Sequence, residues 1–252
     1  MKDSSSNQIS LPELAEIFSE DYFHFGDVVN PPEKSDQQAG VIWDHLSLAK
    51  GISVLELGCG YGRITNRLAE KGARVAGLDI SPVLLKKAEA DAAERGVNVE
   101  YFLGDMRSLP WRDRFDAVFL WYTTFGYFDD PDNERVLREA ASSLRKGGRL
   151  LIDHANYFAF LRHESPIYVV QRNDDLRIDI MSNDVIRDRR NIERIFVRDG
   201  CVRRTQLSFR QYGFSAFVRM LRSAGFESVE AYGQEGGTFT SDSSSLVVVA
   251  CK

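Results

Sequence analysis

Cysteine is scarce in this chain of 252 residues: Cys59, Cys201 and Cys251 are the only three. They offer no disulfide framework, which excludes a small stapled secreted domain and makes a reducing cytoplasm the expected location. Long apolar runs are missing too. None approaches the ~20 residues of a membrane span, and the opening Met1-Lys2-Asp3-Ser4-Ser5-Ser6-Asn7 lacks the apolar stretch of a signal peptide. No membrane partner is expected. Positive charge is not in surplus either, since the formal net charge is -5. A nucleic-acid partner would call for a basic face, so none is expected. Internal repeats and low-complexity tracts are absent beyond short serine clusters. What remains is a chain with 43% hydrophobic content, enough for one good core carrying an insertion.

The most informative stretch is Leu55-Glu56-Leu57-Gly58-Cys59-Gly60-Tyr61-Gly62-Arg63. It follows an apolar β-branched run and precedes an amphipathic segment, so it reads as a strand that enters a glycine turn and opens a helix. Glycines there let the backbone approach a ligand where a Cβ would clash. A dinucleotide loop reads G-x-G-x-x-G, with the helix N-terminus aimed at a pyrophosphate. This one reads G-x-G-x-G with the acid Glu56 two residues earlier, and an acid suits a cation better than a phosphate.

Along the chain, apolar strands alternate with helical patterns, the signature of a parallel sheet covered on both faces. A short helix is expected from Leu11 to Glu20, then a polar segment broken by Pro31-Pro32, and a helix from about Ser35 to Ala49. Strands follow from Ile52 to Leu57 and from Arg74 to Asp79. Helices are expected from Tyr61 to Lys71 and behind the Ser81-Pro82 cap, closed by Gly72 and Gly96; Asp130-Pro131 caps a further helix to Arg145. After Asn156 the alternation stops. Period-two runs such as Leu176-Arg177-Ile178-Asp179-Ile180 and Arg194-Ile195-Phe196-Val197-Arg198 predict antiparallel hairpins with one solvated face. A helix from Phe214 to Ala224 and strands at about 226–232 and 246–251 complete the chain.

In this order the motifs resemble the class I S-adenosylmethionine (SAM) dependent methyltransferases, over roughly residues 36 to 156. The first motif of that family is an acid followed by G-x-G-x-G. Tyr101-Phe102-Leu103-Gly104-Asp105-Met106 resembles its third strand and Phe115-Asp116-Ala117-Val118-Phe119-Leu120-Trp121 its fourth. Leu144-Arg145-Lys146-Gly147-Gly148-Arg149-Leu150 is similar to the entry of its fifth, with Lys146 where proline is usual. The resemblance implies an α/β, Rossmann-like doubly wound, mostly parallel seven-stranded sheet with an antiparallel β-hairpin lid inserted after the fifth strand. It divides the chain into an N-terminal helical segment closing over the cofactor (1–34), a SAM-binding domain (35–156 and 213–252) and a substrate lid (157–212).

The same resemblance implies site roles. Glu56 serves the methionine ammonium through the loop or a water, with Gly58, Cys59, Gly60, Gly62 and Arg63 around it. Asp79 takes both ribose hydroxyls, Asp105 the adenine amino group, and Ile80 and Met106 flank the adenine. Trp121 opens the segment where the methionine end and the acceptor meet, and Tyr22 resembles a tyrosine folded over SAM from the N-terminal segment. Trp121-Tyr122-Thr123-Thr124-Phe125-Gly126-Tyr127-Phe128 lacks the Asn/Asp-Pro-Pro-Tyr/Phe motif of nucleobase and glutamine methylases. It is similar instead to a segment of small-molecule N-methyltransferases acting on amino sugars and antibiotic precursors, and of relatives that methylate a peptide's terminal amine.

By that comparison Tyr127 contacts the acceptor amine, or packs as part of an aromatic cluster. His154, at the end of the fifth strand, is a candidate general base or a satisfied hydrogen-bonding residue. His24 and His163 are secondary candidates. Asp132-Asn133 superficially matches a catechol-methyltransferase metal pair but falls in a first helical turn, so no metal is expected. The arginine-rich stretch 187–204 reads as a solvated strand face, with a carboxylate-bearing acceptor as the alternative.

The expected function is methyl transfer from SAM, leaving S-adenosylhomocysteine, to an amine or hydroxyl of a small natural-product-like or short peptide acceptor, by a monomer or homodimer. An NAD-linked oxidoreductase and a non-catalytic SAM-binding subunit are the rival readings.

Overall fold

The computed structural model describes residues 10–162 and 167–252, without the side chains of 159–161. His163 and the first nine residues of the expected N-terminal segment lie outside the described residues.

Strand β1 (Ser53–Leu57) is buried from Val54 onward, as a strand covered on both faces must be. It pairs in parallel with β2 (Arg74–Asp79) and β4 (Phe115–Leu120). Strand β3 (Val99–Leu103) extends one side, and β5 (Leu144–Ala155) the other. Two antiparallel strands, β10 (Ser228–Gly233) and β11 (Ser245–Cys251), finish the sheet, whose order is β10-β11-β5-β4-β1-β2-β3. The chain winds outward from β1 in one direction and from β4 in the other. A crevice therefore opens at the carboxyl ends of these two strands, where open α/β sheets bind ligands.

Helices cover both faces. Helix α4 (Pro32–His45) and α5 (Thr65–Glu70) bury Ala39, Ile42 and Leu68 against Val54, Val75 and Phe119. On the other face α7 (Asp130–Ser143) and α9 (Phe214–Ser223) bury Val136, Leu137, Phe217 and Leu221 against Leu55, Val118 and Ile152. Helix α6 (Pro82–Glu94) follows β2, with the Ser81 hydroxyl accepting from Leu84 N–H at its start. Among the described residues no helix is long and apolar enough to cross a membrane.

Several boundaries differ from the sequence expectation. The segment read as polar holds α2 (Glu20–His24) and α3 (Gly26–Val29) behind α1 (Leu11–Ile17). Pro32 does not break a helix but starts α4, where its missing N–H costs nothing. Helix α5 begins at Thr65 instead of Tyr61, because Gly62 holds φ +76°, outside the helical region. Asp129, not Asp130, caps α7, accepting from Asp132 N–H at 3.1 Å. A short helix α8 (Tyr157–Arg162) follows β5.

The expected hairpins form a second, four-stranded antiparallel sheet between β5 and α9: β6 (Ile167–Arg172), β7 (Asp175–Asp184), β8 (Arg189–Arg198) and β9 (Cys201–Arg210). The face that carries Arg177, Asp179 and Arg194 is not the solvated one: these three are buried together with Val170, Phe196 and Leu207, whereas Ile167, Val169 and Val202 are exposed. Alternation assigns residues to a face but does not say which face meets solvent; here the face with the buried ion pair closes a cavity.

Candidate active site

The site grows from the turn after β1. Gly58, Gly60 and Gly62 hold φ of +71°, +55° and +76°, a region open to glycine at little cost. A Cβ on Gly58 would collide with Thr124 Cγ2, so the loop after β4 lies directly on this cradle. Gly58 N–H donates to Leu78 O at 2.7 Å, which ties the turn to β2. The Cys59 side chain is buried and its thiol is pushed well up by burial, so it stays protonated.

Two acids stand beside the cradle. Glu56 is only 4% exposed, and its Oε2 accepts from the Thr65 hydroxyl. Burial pushes its carboxyl up to about 8, against the lowering effects of Thr65 and Arg63. Asp79, at the end of β2, accepts from Gly60 N–H at 2.7 Å and Ser81 N–H at 2.8 Å. Burial raises its pKa, and those backbone N–H groups oppose the rise. Ser81 Oγ in turn donates to Phe18 O at 2.6 Å, which holds the end of α1 over the crevice.

After β3, the Asp105 carboxylate is gripped by Arg107 Nε at 3.0 and 3.2 Å and accepts from the Arg107 backbone N–H at 2.9 Å. Arg107 also reaches Asp132 at 2.6 Å and stands 4.2 Å from the centre of the Phe128 ring. Sequence reading missed this arginine, although the Asp-Met-Arg spacing could have suggested it.

After β4 the chain turns sharply. Tyr122 and Thr123 hold φ of +61° and +58°, left-handed conformations that cost non-glycine residues roughly 1–2 kcal/mol each. Asp153 on β5 secures the turn: its Oδ2 accepts from Tyr122 N–H at 2.9 Å and its Oδ1 from Ser245 Oγ at 2.6 Å. Thr124 Oγ1 donates to Trp121 O at 2.6 Å. The Trp121 indole N–H is buried with no hydrogen-bond partner among the described residues.

These elements enclose a cavity of about 320 Å³ at the strand ends. Tyr22, Glu56, Gly58, Cys59, Gly60, Arg63, Asp79, Ile80, Asp105, Met106, Trp121 and Tyr127 all line it; Gly62 and His154 do not. Gly62 shapes the turn from behind, close to Tyr101 and Asn66. Tyr127 is partly buried, with Phe18 edge-on at 5.8 Å and Phe209 at 6.0 Å, and desolvation raises its phenol pKa. Arg63 Nη1 donates to Gln38 Oε1 at 2.6 Å and Ser35 Oγ at 3.1 Å, which fixes the guanidinium 5.6 Å from the Tyr122 ring centre.

His154 requires correction as a candidate base. It does not line the cavity and is fully buried among Phe125, Tyr212 and Phe217. Its Nε2 accepts from Tyr212 N–H at 3.1 Å, and burial lowers its pKa to about 4. Neutral and committed to that contact, it is a core residue. His24 lies 2.8 Å from Asp175 of β7. Asn156 Nδ2 donates to Thr240 O, Ser241 O and Ser243 O, which ties down the loop before β11.

The second sheet supplies the roof. Arg194 clasps Asp179 through Nε at 2.6 Å and Nη2 at 2.9 Å, and Arg177 Nη2 lies 3.3 Å from the same carboxylate. All three residues line the cavity, which corrects the reading of Arg194 as part of a solvated face.

A glycine cradle that a Cβ would fill and the buried acids Glu56 and Asp79 beside it fit a cationic cofactor that carries hydroxyl groups. Residues 54–148 match the family model described as a methyltransferase domain. A ubiquinone biosynthesis O-methyltransferase of Xanthomonas axonopodis pv. citri (strain 306) is 34% identical over 109 residues, 42% of this chain and 44% of that protein. The chain spans about half the length, or less, of the curated relatives it matches. Among solved structures, an S-adenosylmethionine-dependent methyltransferase from Clostridium acetobutylicum ATCC 824 superposes with a TM-score of 0.78 at 15% identity, covering 92% of this chain and 97% of that one. The sugar N-methyltransferase KedS8 from Streptoalloteichus sp ATCC 53650 gives 0.67 at 21%, covering 100% and 98%. The family match falls on the strands and turns that build the cradle, so residues 54–148 are similar to a methyltransferase domain, on a fold shared with S-adenosylmethionine-dependent methyltransferases.

Proposed function

We propose that the protein methylates an amine of a small, natural-product-like acceptor. The observation that carries this reading is the roofed cavity itself, with Glu56 and Asp79 along its strand ends and Tyr22, Tyr127 and Phe209 closing over them. When bound, S-adenosylmethionine supplies a methyl group on a sulfonium already activated for displacement.

The chain's own residues hold and shield. Glu56 receives the methionine ammonium, with the backbone of Gly58, Cys59 and Gly60 against the ligand and Gly62 shaping the turn. Arg63 sits beside the methionine end with its guanidinium already fixed. Asp79 takes the ribose hydroxyls, and Asp105 competes between Arg107 and the adenine amino group. Ile80 and Met106 flank the adenine, and Trp121 donates its free N–H. Residues of the N-terminal segment, Tyr22 foremost, and the second sheet act as lid, excluding water that would solvate the nucleophile. Holding donor and acceptor in line is worth ~7–11 kcal/mol in such reactions.

An amine is favoured over a hydroxyl by the residues present. A hydroxyl needs a base to release its proton, and the acceptor-side groups are a Tyr127 phenol raised by burial and an Asp179 already clasped by Arg194. A buried amine is held in its neutral, nucleophilic form by the same desolvation. Tyr127 then serves as a positioning hydrogen-bond partner.

Calorimetric titration with S-adenosylhomocysteine beside NADH tests the reading, followed by labelled SAM with paired amines and phenols. Micromolar binding of the first ligand alone, with methylation of amines, is expected. Binding of NADH instead would turn the search to hydride transfer, and methylation of phenols alone would move the acceptor to a hydroxyl.

A further inference from the structure

The roof of the cavity is unevenly charged. Asp179 is the single carboxylate between two guanidiniums, and Arg194 occupies both of its oxygens. Arg177 is left with one shared contact at 3.3 Å. Its side chain is 7% exposed, and its Nε has no hydrogen-bond partner among the described residues. A guanidinium cannot shed its proton to relieve this burial. Buried donors left unpaired are rare and call for an explanation, and a group held for a ligand is one.

The other lining cation near this wall, Arg63, is already bonded to Gln38 and Ser35. Glu56, Asp79 and Asp105 belong to the strand-end loops, whereas Arg177 stands on β7 in the roof. The unmatched charge therefore faces the acceptor's side of the cavity.

We propose that the acceptor carries an oxyanion, a carboxylate or a phosphate, and that Arg177 receives it at the roof. This rests on the methyl-transfer reading above. The anion completes the charge balance of the Arg177–Asp179–Arg194 cluster and supplies the acceptor for Nε–H, a charge-assisted contact. It also sets the acceptor's orientation, since one end is fixed at β7 while the amine meets Tyr127. The proposal makes Arg177 a specificity residue and the second sheet its support.

The test uses the full chain saturated with S-adenosylhomocysteine, titrated calorimetrically with benzoate, phenyl phosphate and, as the neutral control, benzamide. At least one anion should bind ten times or more tightly than benzamide, and the stronger of the two identifies carboxylate or phosphate. Arg177→Gln should abolish the preference while changing S-adenosylhomocysteine affinity less than twofold. Arg177→Lys, which keeps the charge but loses Nε, should keep a preference at reduced affinity and guards against a misfolded glutamine variant. Equal binding of benzamide, no binding of either anion, or a preference that survives Arg177→Gln would overturn the proposal. So would a tenfold loss of S-adenosylhomocysteine affinity in Arg177→Gln, which would assign the arginine to the cofactor. Failure of the wild-type protein to bind S-adenosylhomocysteine at all would instead sink the methyl-transfer reading.

Discussion

The Thr65 hydroxyl donates to Glu56 Oε2 across the glycine turn, with Glu56 itself 4% exposed at the end of β1. The hydroxyl offers one hydrogen bond, too little to offset the burial that raises the acid to about 8. In the cofactor-free protein the group is therefore mainly protonated at neutral pH. A cationic ammonium arriving beside it favours the ionised form.

Binding of S-adenosylhomocysteine at pH 7 should accordingly release close to one proton, and the release should fade above about pH 9. Titrations in buffers of differing ionisation enthalpy read this directly. The sign for stability is fixed as well. With a folded pKa of about 8 against an ordinary 4.5, the native chain holds more protons here than the unfolded chain across that interval. This carboxyl's contribution to stability thus falls as pH rises from 4.5 to 8. Glu56→Gln should abolish the proton release and weaken binding; an undiminished release in that variant would assign it elsewhere.

Asp79→Ala should weaken S-adenosylhomocysteine by ~10–100-fold. It removes the proposed ribose acceptor and leaves Gly60 and Ser81 N–H without their carboxylate; charged hydrogen bonds of this kind are worth about 1.5–3 kcal/mol each. Calorimetry would show the loss, and unchanged affinity would remove Asp79 from the cofactor site.

Tyr127→Phe should bind S-adenosylhomocysteine as the parent does and turn over more slowly, by roughly tenfold for one lost hydrogen bond. His154→Ala should do the opposite. It opens a hole among Phe125, Tyr212 and Phe217 and strips Tyr212 N–H of its partner, at a cost of about 2–4 kcal/mol in stability. Its folded fraction should retain kcat. A His154→Ala protein of parental melting temperature but abolished turnover would restore the base.

Asp21→Asn should loosen the lid. Asp21 accepts from Arg198 Nη1 at 3.2 Å and Arg203 Nε at 2.8 Å, which links α2 to β8 and β9. Half-exposed pairs contribute about 0.2–1 kcal/mol, so dissociation of S-adenosylhomocysteine should quicken by up to about fivefold in stopped flow. The difference from the parent should narrow in high salt.

The cradle was legible in the sequence because its signals are local: an acid, three glycines and a buried strand lie within nine residues. Asp79 was legible for the same reason, since it ends an apolar run. Asp153 was not, because its bond to Tyr122 spans 31 positions and nothing near it marks a turn that it secures. His154 was misread because its place at a strand end suggests the cavity, and nothing local shows that Phe125, Tyr212 and Phe217 enclose it instead. Arg177, Asp179 and Arg194 share one face by their spacing, yet polarity suggested solvent, and only the closed roof shows that face to be interior. The late start of α5 was hidden too: Gly62 is helix-compatible by spacing, and its positive φ, with Tyr101, Ala88 and Asn66 where a side chain would stand, belongs to the tertiary arrangement.

The second sheet does not own its core. Phe196 of β8 stacks on Phe25 with ring centres 6.0 Å apart, and Val170 joins them in one buried cluster. Arg194 stands 5.8 Å from the Tyr22 ring centre, and Arg172 pairs with Asp27 at 2.6 Å. Residues 157–212 are thus no interchangeable cassette. A chimera that imports another protein's insertion to change acceptor choice must import the matching stretch around residues 18–30 with it, or the graft arrives without the partners of Val170 and Phe196.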